Sequence, residues 1–117
     1  MHFQIEEWKN SLRSTRHTIS FPLITYPGLE LIGKNVKEMV SSGKVQFECI
    51  RALANRYPDM PAIPMSMDLS LEAEALGSHV KFSDNEIPTI TERLIHHTAD
   101  IDDLHFPEPD SPRIHEY

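Results

Sequence analysis

AIPMSMDLSLEAEALG, residues 62–77, is the stretch whose reading decides the fold. It opens as an apolar run, Ala62, Ile63, Met65 and Met67, the pattern of a strand buried on both faces. At Asp68 the period changes. Leu69, Ala73 and Leu76 recur at helical spacing, and Gly77 stands where a helix closes with a left-handed residue. A buried strand ending in a carboxylate and running at once into a short helix is the layout of an α/β unit. Ligands in such proteins gather beyond the C-terminal ends of the strands. Asp68 is therefore the candidate functional residue. The competing assignment is a structural one, in which Asp68 caps the helix by accepting backbone N–H bonds.

Upstream of this stretch the chain reads as helical. Ile5, Trp8 and Leu12 give a short amphipathic helix over about residues 4–14, with Trp8 as its core anchor. After the polar break RSTRHT, the run ISFPLITYPG is extended but irregular, since Pro22 and Pro27 do not suit a central strand. Residues 28–32 make one helical turn closed by Gly33. Asn35 and Glu38 have the spacing of a capping box, followed by the apolar Val36, Met39 and Val40. A stronger helix is predicted over 44–56. Its inner face is Phe47, Ile50, Leu53, Ala54 and Tyr57, with Gln46, Glu48, Arg51 and Asn55 outside. Cys49 flanks that face as a small buried hydrophobe, with no neighbouring cation to activate its thiol.

Downstream, HVKF and IPTI read as a hairpin turned by Ser83–Glu86, with Val80 and Phe82 on one side and Pro88 forcing an edge position. Thr98 is the expected N-cap of a further helix, with Asp100 in its first turn and Ile101 and Leu104 inside. Pro107 and Pro109 end it. Ser111 and Pro112 then signal a helix start at N-cap and N1, yet barely one turn follows. A start signal with almost no helix behind it leads to the expectation that the chain is a piece of something longer. A frayed natural C-terminus is the alternative.

Composition narrows the classes. The chain has 117 residues and a formal charge of -7, with 25% charged and 39% hydrophobic residues. That size suits one domain, and that balance suits a folded one. The acidic excess argues against a nucleic-acid surface, which needs clustered Lys and Arg. No apolar run approaches membrane-spanning length, and no signal peptide is recognisable, so the expected location is cytoplasmic. A single cysteine, Cys49, fits that compartment. Seven histidines raise a metal hypothesis that the spacing does not support. His96 and His97 are adjacent and point to different faces, and His79, His105 and His115 lack a partner at ligand spacing. Glu72 and Glu74 fall on different faces of their helix and read as solvated. Neither a phosphate-cradling loop nor a nucleophile elbow occurs.

Two stretches carry a resemblance. MDLSLEAEALGSHVKFSDNEIPTI resembles the first-strand region of the uroporphyrinogen decarboxylase superfamily, and LIHHTADIDDLHFPEPDSPRI resembles the stretch that follows it there. YPGLELIGKNVKEMV with the Phe47 helix is similar to the N-terminal helices of the methylcobamide:coenzyme M methyltransferase branch. The resemblance implies an α/β fold in which residues 1–57 form an N-terminal helical cap. Residues 58–117 then hold the first strand of a (β/α)8 barrel, the hairpin and the following helices. A closed barrel of this kind takes about 250 residues, so the barrel is incomplete here and looks α+β in isolation. In the decarboxylase branch the aspartate ending the first strand hydrogen-bonds the pyrrole N–H groups of the substrate, and Asp68 matches it. That branch also carries an R-Q-A-G-R arginine pair, where this chain has TYPGLELIG. The methyltransferase branch binds zinc through a His-x-Cys and a distant Cys in its C-terminal half, which is not in this chain. Pro61 and Pro64 also fall within the proposed strand.

The expected function is therefore that of an N-terminal portion of a decarboxylase-like (lyase) or corrinoid methyltransferase-like barrel protein, not catalytic by itself. No cofactor or metal is expected in this chain. Zinc and a corrinoid substrate belong to the full-length parent, and a tetrapyrrole or corrinoid ligand follows from the resemblance alone. The alternative is a self-associating interaction module. Both lead to an expected homo-oligomer, because an orphaned strand and apolar helix faces need cover.

Overall fold

The structure is a computed structural model and describes residues 3–66, 68–108 and 113–117. Among the described residues five α-helices follow one another: α1 (Ile5–Ser14), α2 (Gly28–Ile32), α3 (Val36–Val40), α4 (Gly43–Arg56) and α5 (Leu71–Ala75). A two-stranded antiparallel sheet, β1 (Val80–Lys81) and β2 (Thr89–Ile90), pairs Val80 with Ile90 and Lys81 with Thr89. Two 3₁₀ turns complete the described chain, at Thr98–Asp103 and Ile114–Glu116.

Local chemistry sets most of these boundaries. Gly33 closes α2 in the left-handed region (φ 65°), and the Lys34 N–H reaches back to the Leu29 carbonyl. The Asn35 side chain accepts from the Glu38 N–H while the Glu38 carboxylate accepts from the Asn35 N–H, completing the capping box of α3. Gly77 (φ 103°) ends α5, with Gly77 N–H bonded to the Glu74 carbonyl and Ser78 N–H to that of Ala73. Those two bonds are the Schellman pattern.

The core lies where α2 and α3 pack on α4. Leu29, Met39 and Cys49 form its centre, flanked by Tyr26, Ile32, Val36 and Val45, with Val40 and Leu53 also fully buried. The face of α4 that does this differs from the one the sequence predicts. Gln46, Cys49 and Leu53 are buried, whereas Phe47, Ala54 and Tyr57 are exposed. The reason is the approach of Gly28. A Cβ built there would lie 2.6 Å from Cys49 Sγ and 2.8 Å from both the Cys49 carbonyl oxygen and Leu53 Cγ. The two backbones are too close for a large side chain, so the small Cys49 takes the contact. Phe47 and Tyr57 turn outward, beneath the guanidinium groups of Arg51 and Arg56 at 5.5 and 5.4 Å. Cys49 donates its thiol to the Thr25 carbonyl at 3.2 Å, and burial pushes it up from its ordinary value. This is the inert buried cysteine that was expected.

Other expectations need correcting. Residues 62–66 form no strand, and no strand pairs with them among the described residues. Pro61 and Pro64 remove two ladder donors, and the run is only half-buried, with Met65 58% exposed. Met67, the expected end of the strand, lies outside the described residues, as do Pro109 and the helix start at Ser111 and Pro112. The described chain is thus a small α+β unit, with no barrel assembled in it. Helix α1 forms where predicted, but it buries no residue, and Trp8 is a half-buried neighbour of Phe3 and not a core anchor. The segment after His97 winds as 3₁₀, with Ile101 exposed. Its start is capped by the Asp100 carboxylate, which accepts from the N–H groups of His96 and His97, in place of a Thr98 cap. Those bonds hold the Asp100 carboxyl below its ordinary value.

Replacing Gly28 with alanine must push α2 off the α4 backbone, because the Cys49 carbonyl cannot rotate away. We expect a loss of about 1–3 kcal/mol, read as a lower denaturant midpoint with an unchanged slope. An unaltered midpoint would show that the close approach is not a constraint.

Candidate functional site at Asp68

Asp68 sits between the irregular run 62–66 and α5, and its side chain is wholly buried. Its Oδ1 accepts from the Ser70 backbone N–H at 2.9 Å and from the Ser70 hydroxyl at 2.6 Å. This is a local turn two residues wide, of the kind Asp favours ahead of a helix. The cap position of α5 itself belongs to Ser70. The other oxygen, Oδ2, faces Nη2 of Arg113 in a direct ion pair.

Arg113 is the hub. Its Nη1 donates to Glu74 Oε2 at 2.5 Å and its Nε to the Val40 carbonyl at 3.1 Å. The guanidinium lies over the Phe82 ring, 4.9 Å from its centroid. One planar cation thereby joins the turn at Asp68, the helix α5, the end of α3 and the strand side of the hairpin. A guanidinium suits this because its donors are fixed in a fork and its face stacks. The side chain is only 11% exposed, so the attraction acts with little solvent screening. Burial raises the Glu74 carboxyl from its ordinary value.

The last described residues extend this contact. Glu116 Oε2 accepts from the Gly43 N–H at 2.7 Å, which places a carboxylate at the positive end of α4. Tyr117 turns inward. Burial pushes its phenol up, opposed by the nearby Ser66 hydroxyl and Arg113. The Tyr26, Ser66 and Tyr117 oxygens, Gln46 Nε2 and, within the ion pair itself, Asp68 Oδ2 and Arg113 Nη2 are buried without a well-formed hydrogen bond. Each such group costs about 1–3 kcal/mol, so this is a polar and strained neighbourhood beside Asp68.

Asp68, the candidate site residue named from sequence, lies in this cluster. Glu74, expected on a solvated face, is half-buried against Arg113, while Glu72 is exposed. His17, His79, His96, His97, His105 and His115 are exposed. No group of three or more His, Cys, Asp or Glu side chains among the described residues is placed to hold a metal ion. Cys49 does not fit a zinc thiolate, since it is enclosed, bonded to Thr25 and raised in pKa. Arg113 was missed by sequence reasoning. Forty-five residues separate it from Asp68, and no local spacing signals a contact that long.

Residues 25–117 match the family model described as uroporphyrinogen decarboxylase (URO-D). The chain belongs to the uroporphyrinogen decarboxylase family. No curated protein and no solved structure gives a match. The matched span contains Asp68, Arg113 and the whole α2–α4 core, while α1 lies ahead of it. No helix of the described chain is long and apolar enough to cross a membrane.

Breaking the buried pair from one side strands a charge. We expect Arg113→Met to destabilise the chain by about 3–5 kcal/mol, and Asp68→Asn with Arg113→Met to recover part of that loss. Equal midpoints for wild type and Arg113→Met would mean the pair contributes nothing. The raised phenol of Tyr117 gives a second test. The folded state holds that proton more tightly than the unfolded state, so its contribution is complete below the ordinary tyrosine value and is lost as pH rises through the folded one. Stability should fall on that alkaline limb, and Tyr117→Phe should flatten it.

Proposed function

We propose that the chain supplies the N-terminal portion of a uroporphyrinogen decarboxylase-like barrel protein of the methyltransferase-like branch, and that it is not catalytic by itself. The observation that carries this reading is the state of Asp68. The family resemblance gives this aspartate the task of accepting ligand N–H groups at a strand end. Here its carboxylate is fully enclosed, with one oxygen on Ser70 and the other on Arg113. A carboxylate buried by its own chain, with one oxygen set against a guanidinium, is closed to a tetrapyrrole in this arrangement. The irregular course of 62–66 supports the same reading, because a barrel strand needs neighbours on both sides to satisfy its backbone.

One feature favours the methyltransferase-like branch over porphyrinogen decarboxylation. Residues 25–33, TYPGLELIG, contain no arginine where the decarboxylase branch places a pair for substrate carboxylates. The family match nevertheless runs through that segment. Zinc and a corrinoid substrate belong, in this reading, to parts of the parent protein that would complete the site. Asp68 remains the residue that faces ligand there, once Arg113 is drawn off it.

The test is direct. Purified chain incubated with uroporphyrinogen under reducing conditions should release no carbon dioxide above the uncatalysed rate, and free tetrapyrrole should leave its spectrum unchanged. Decarboxylation that disappears in Asp68→Asn would overturn the reading and make this chain an enzyme with its own site.

A further inference from the structure

The groups that hold Arg113 all lie elsewhere in the chain, and together they have the form of a receptor for its head group. Glu74 Oε2 accepts from Nη1 at 2.5 Å, and the Val40 carbonyl accepts from Nε at 3.1 Å. Asp68 Oδ2 is paired with Nη2, and the Phe82 ring lies beneath the guanidinium, its centroid 4.9 Å from Cζ. Three edges and one face of a flat cation are met at once. An ammonium has no plane to lay on a ring and no fixed fork of donors to spread over three acceptors. The chemistry selected is that of an alkylguanidinium.

The receptor is built by bonds in which Arg113 takes no part. Ser70 fixes Asp68 by donating its backbone N–H and its hydroxyl to Oδ1, which leaves Oδ2 turned to the cation. The Val36 N–H donates to the Asp84 carbonyl at 2.9 Å, tying the turn of the hairpin to the start of α3. Val40 ends that helix and Phe82 follows β1, so this bond sets the carbonyl and the ring against each other. Glu74 stands on α5, whose close at Gly77 leads on into β1. Charge points the same way. The Asp68 side chain is wholly buried and that of Glu74 is half-buried, two carboxylates facing one guanidinium. With the cation gone, both negative charges stand unpaired in a poorly solvated site, a cost that a cation of the same shape removes.

We propose that Asp68, Glu74, the Val40 carbonyl and Phe82 form an alkylguanidinium-binding site that Arg113 fills from within the chain, and that takes a guanidinium-bearing ligand when Arg113 is out of it. The ligand class is an arginine head group, on a small molecule or on a peptide. Arg113 is the built-in occupant, and being tethered it competes at high effective concentration. Occupant and ligand exclude each other, since both need Asp68 Oδ2. This goes beyond the family assignment and uses neither catalysis nor a tetrapyrrole, so its failure would leave the proposed function untouched.

The experiment is chemical rescue. Arg113→Ala empties the site, and ethylguanidinium replaces the atoms removed. With either ethylguanidinium or ethylammonium added at millimolar concentration, the urea midpoint of the variant is followed. We expect ethylguanidinium to raise that midpoint saturably and to bind about tenfold tighter than ethylammonium. Asp68→Asn in the same background should weaken this binding by about tenfold or more. Wild type, with its site filled, should show no saturable change. If Arg113→Ala is unfolded alone, ethylguanidinium should restore its circular dichroism. Agmatine and a glycine-flanked arginine peptide separate the two sources of the cation; binding of either supports the site, and the tighter one names the source. Arg113→Lys keeps the charge but loses the plane and the fork, so its midpoint should fall well below that of wild type. Three results would overturn the proposal. One is an Arg113→Ala chain that neither binds ethylguanidinium nor refolds with it. Another is equal binding of ethylammonium, which would reduce the site to charge alone. The third is an Arg113→Lys variant as stable as wild type.

Discussion

A single guanidinium does for this chain what a sheet does for larger α/β proteins. Arg113 meets Asp68, Glu74, the carbonyl of Val40 and the face of Phe82. These belong to four segments that no backbone ladder connects. With a sheet of only two residues per strand among the described residues, long-range order has few other sources. The site and the fold thus share one interaction, and the residue that defines the candidate site is also the one that closes the structure. While that contact holds, the Asp68 carboxylate is closed off from solvent.

The hydrophobic contribution is correspondingly local. Leu29, Met39, Val40, Cys49 and Leu53 are the buried apolar residues among those described, and all lie within 25 positions of one another. Each fully buried side chain of this kind contributes about 1.5–3 kcal/mol before conformational entropy is set against it. Such a centre organises α2, α3 and α4 and little else. Outside it, large apolar side chains stand in water, Leu23 at 75%, Leu69 at 78% and Phe106 at 93% exposure.

How much of this was legible in the sequence divides along the range of the interactions. The caps were readable because their chemistry is spelled within four residues: the Asn35–Glu38 box, Gly33 and Gly77 all act where the spacing places them. The hairpin from His79 to Ile90 was readable for the same reason. The face of α4 was not, because a contact 21 residues away, from Gly28 to Cys49, decided it and put a glutamine in the apolar stripe. The run 62–66 was misread because apolar content and strand are separable, and two prolines with no neighbouring strand leave the first without the second. The candidate residue Asp68 was placed from sequence, but its occupied state was not, since Arg113 comes to it from across the chain.

The contact between Gly43 and Glu116 bears on the order in which the molecule assembles. A Cβ at position 43 would lie 2.5 Å from the Glu116 carbonyl oxygen, so the start of α4 is finished only when a segment more than seventy residues later arrives. Helices α2 to α4 are joined by short loops and need little chain closure, which suits early formation on a sub-millisecond scale. The arrival of Arg113 and Glu116 closes a long loop, a slower step opposed by chain entropy. The molecule is therefore expected to open first at that seam. Such an opening frees the N-terminal turn of its longest helix and unveils Asp68 in the same motion.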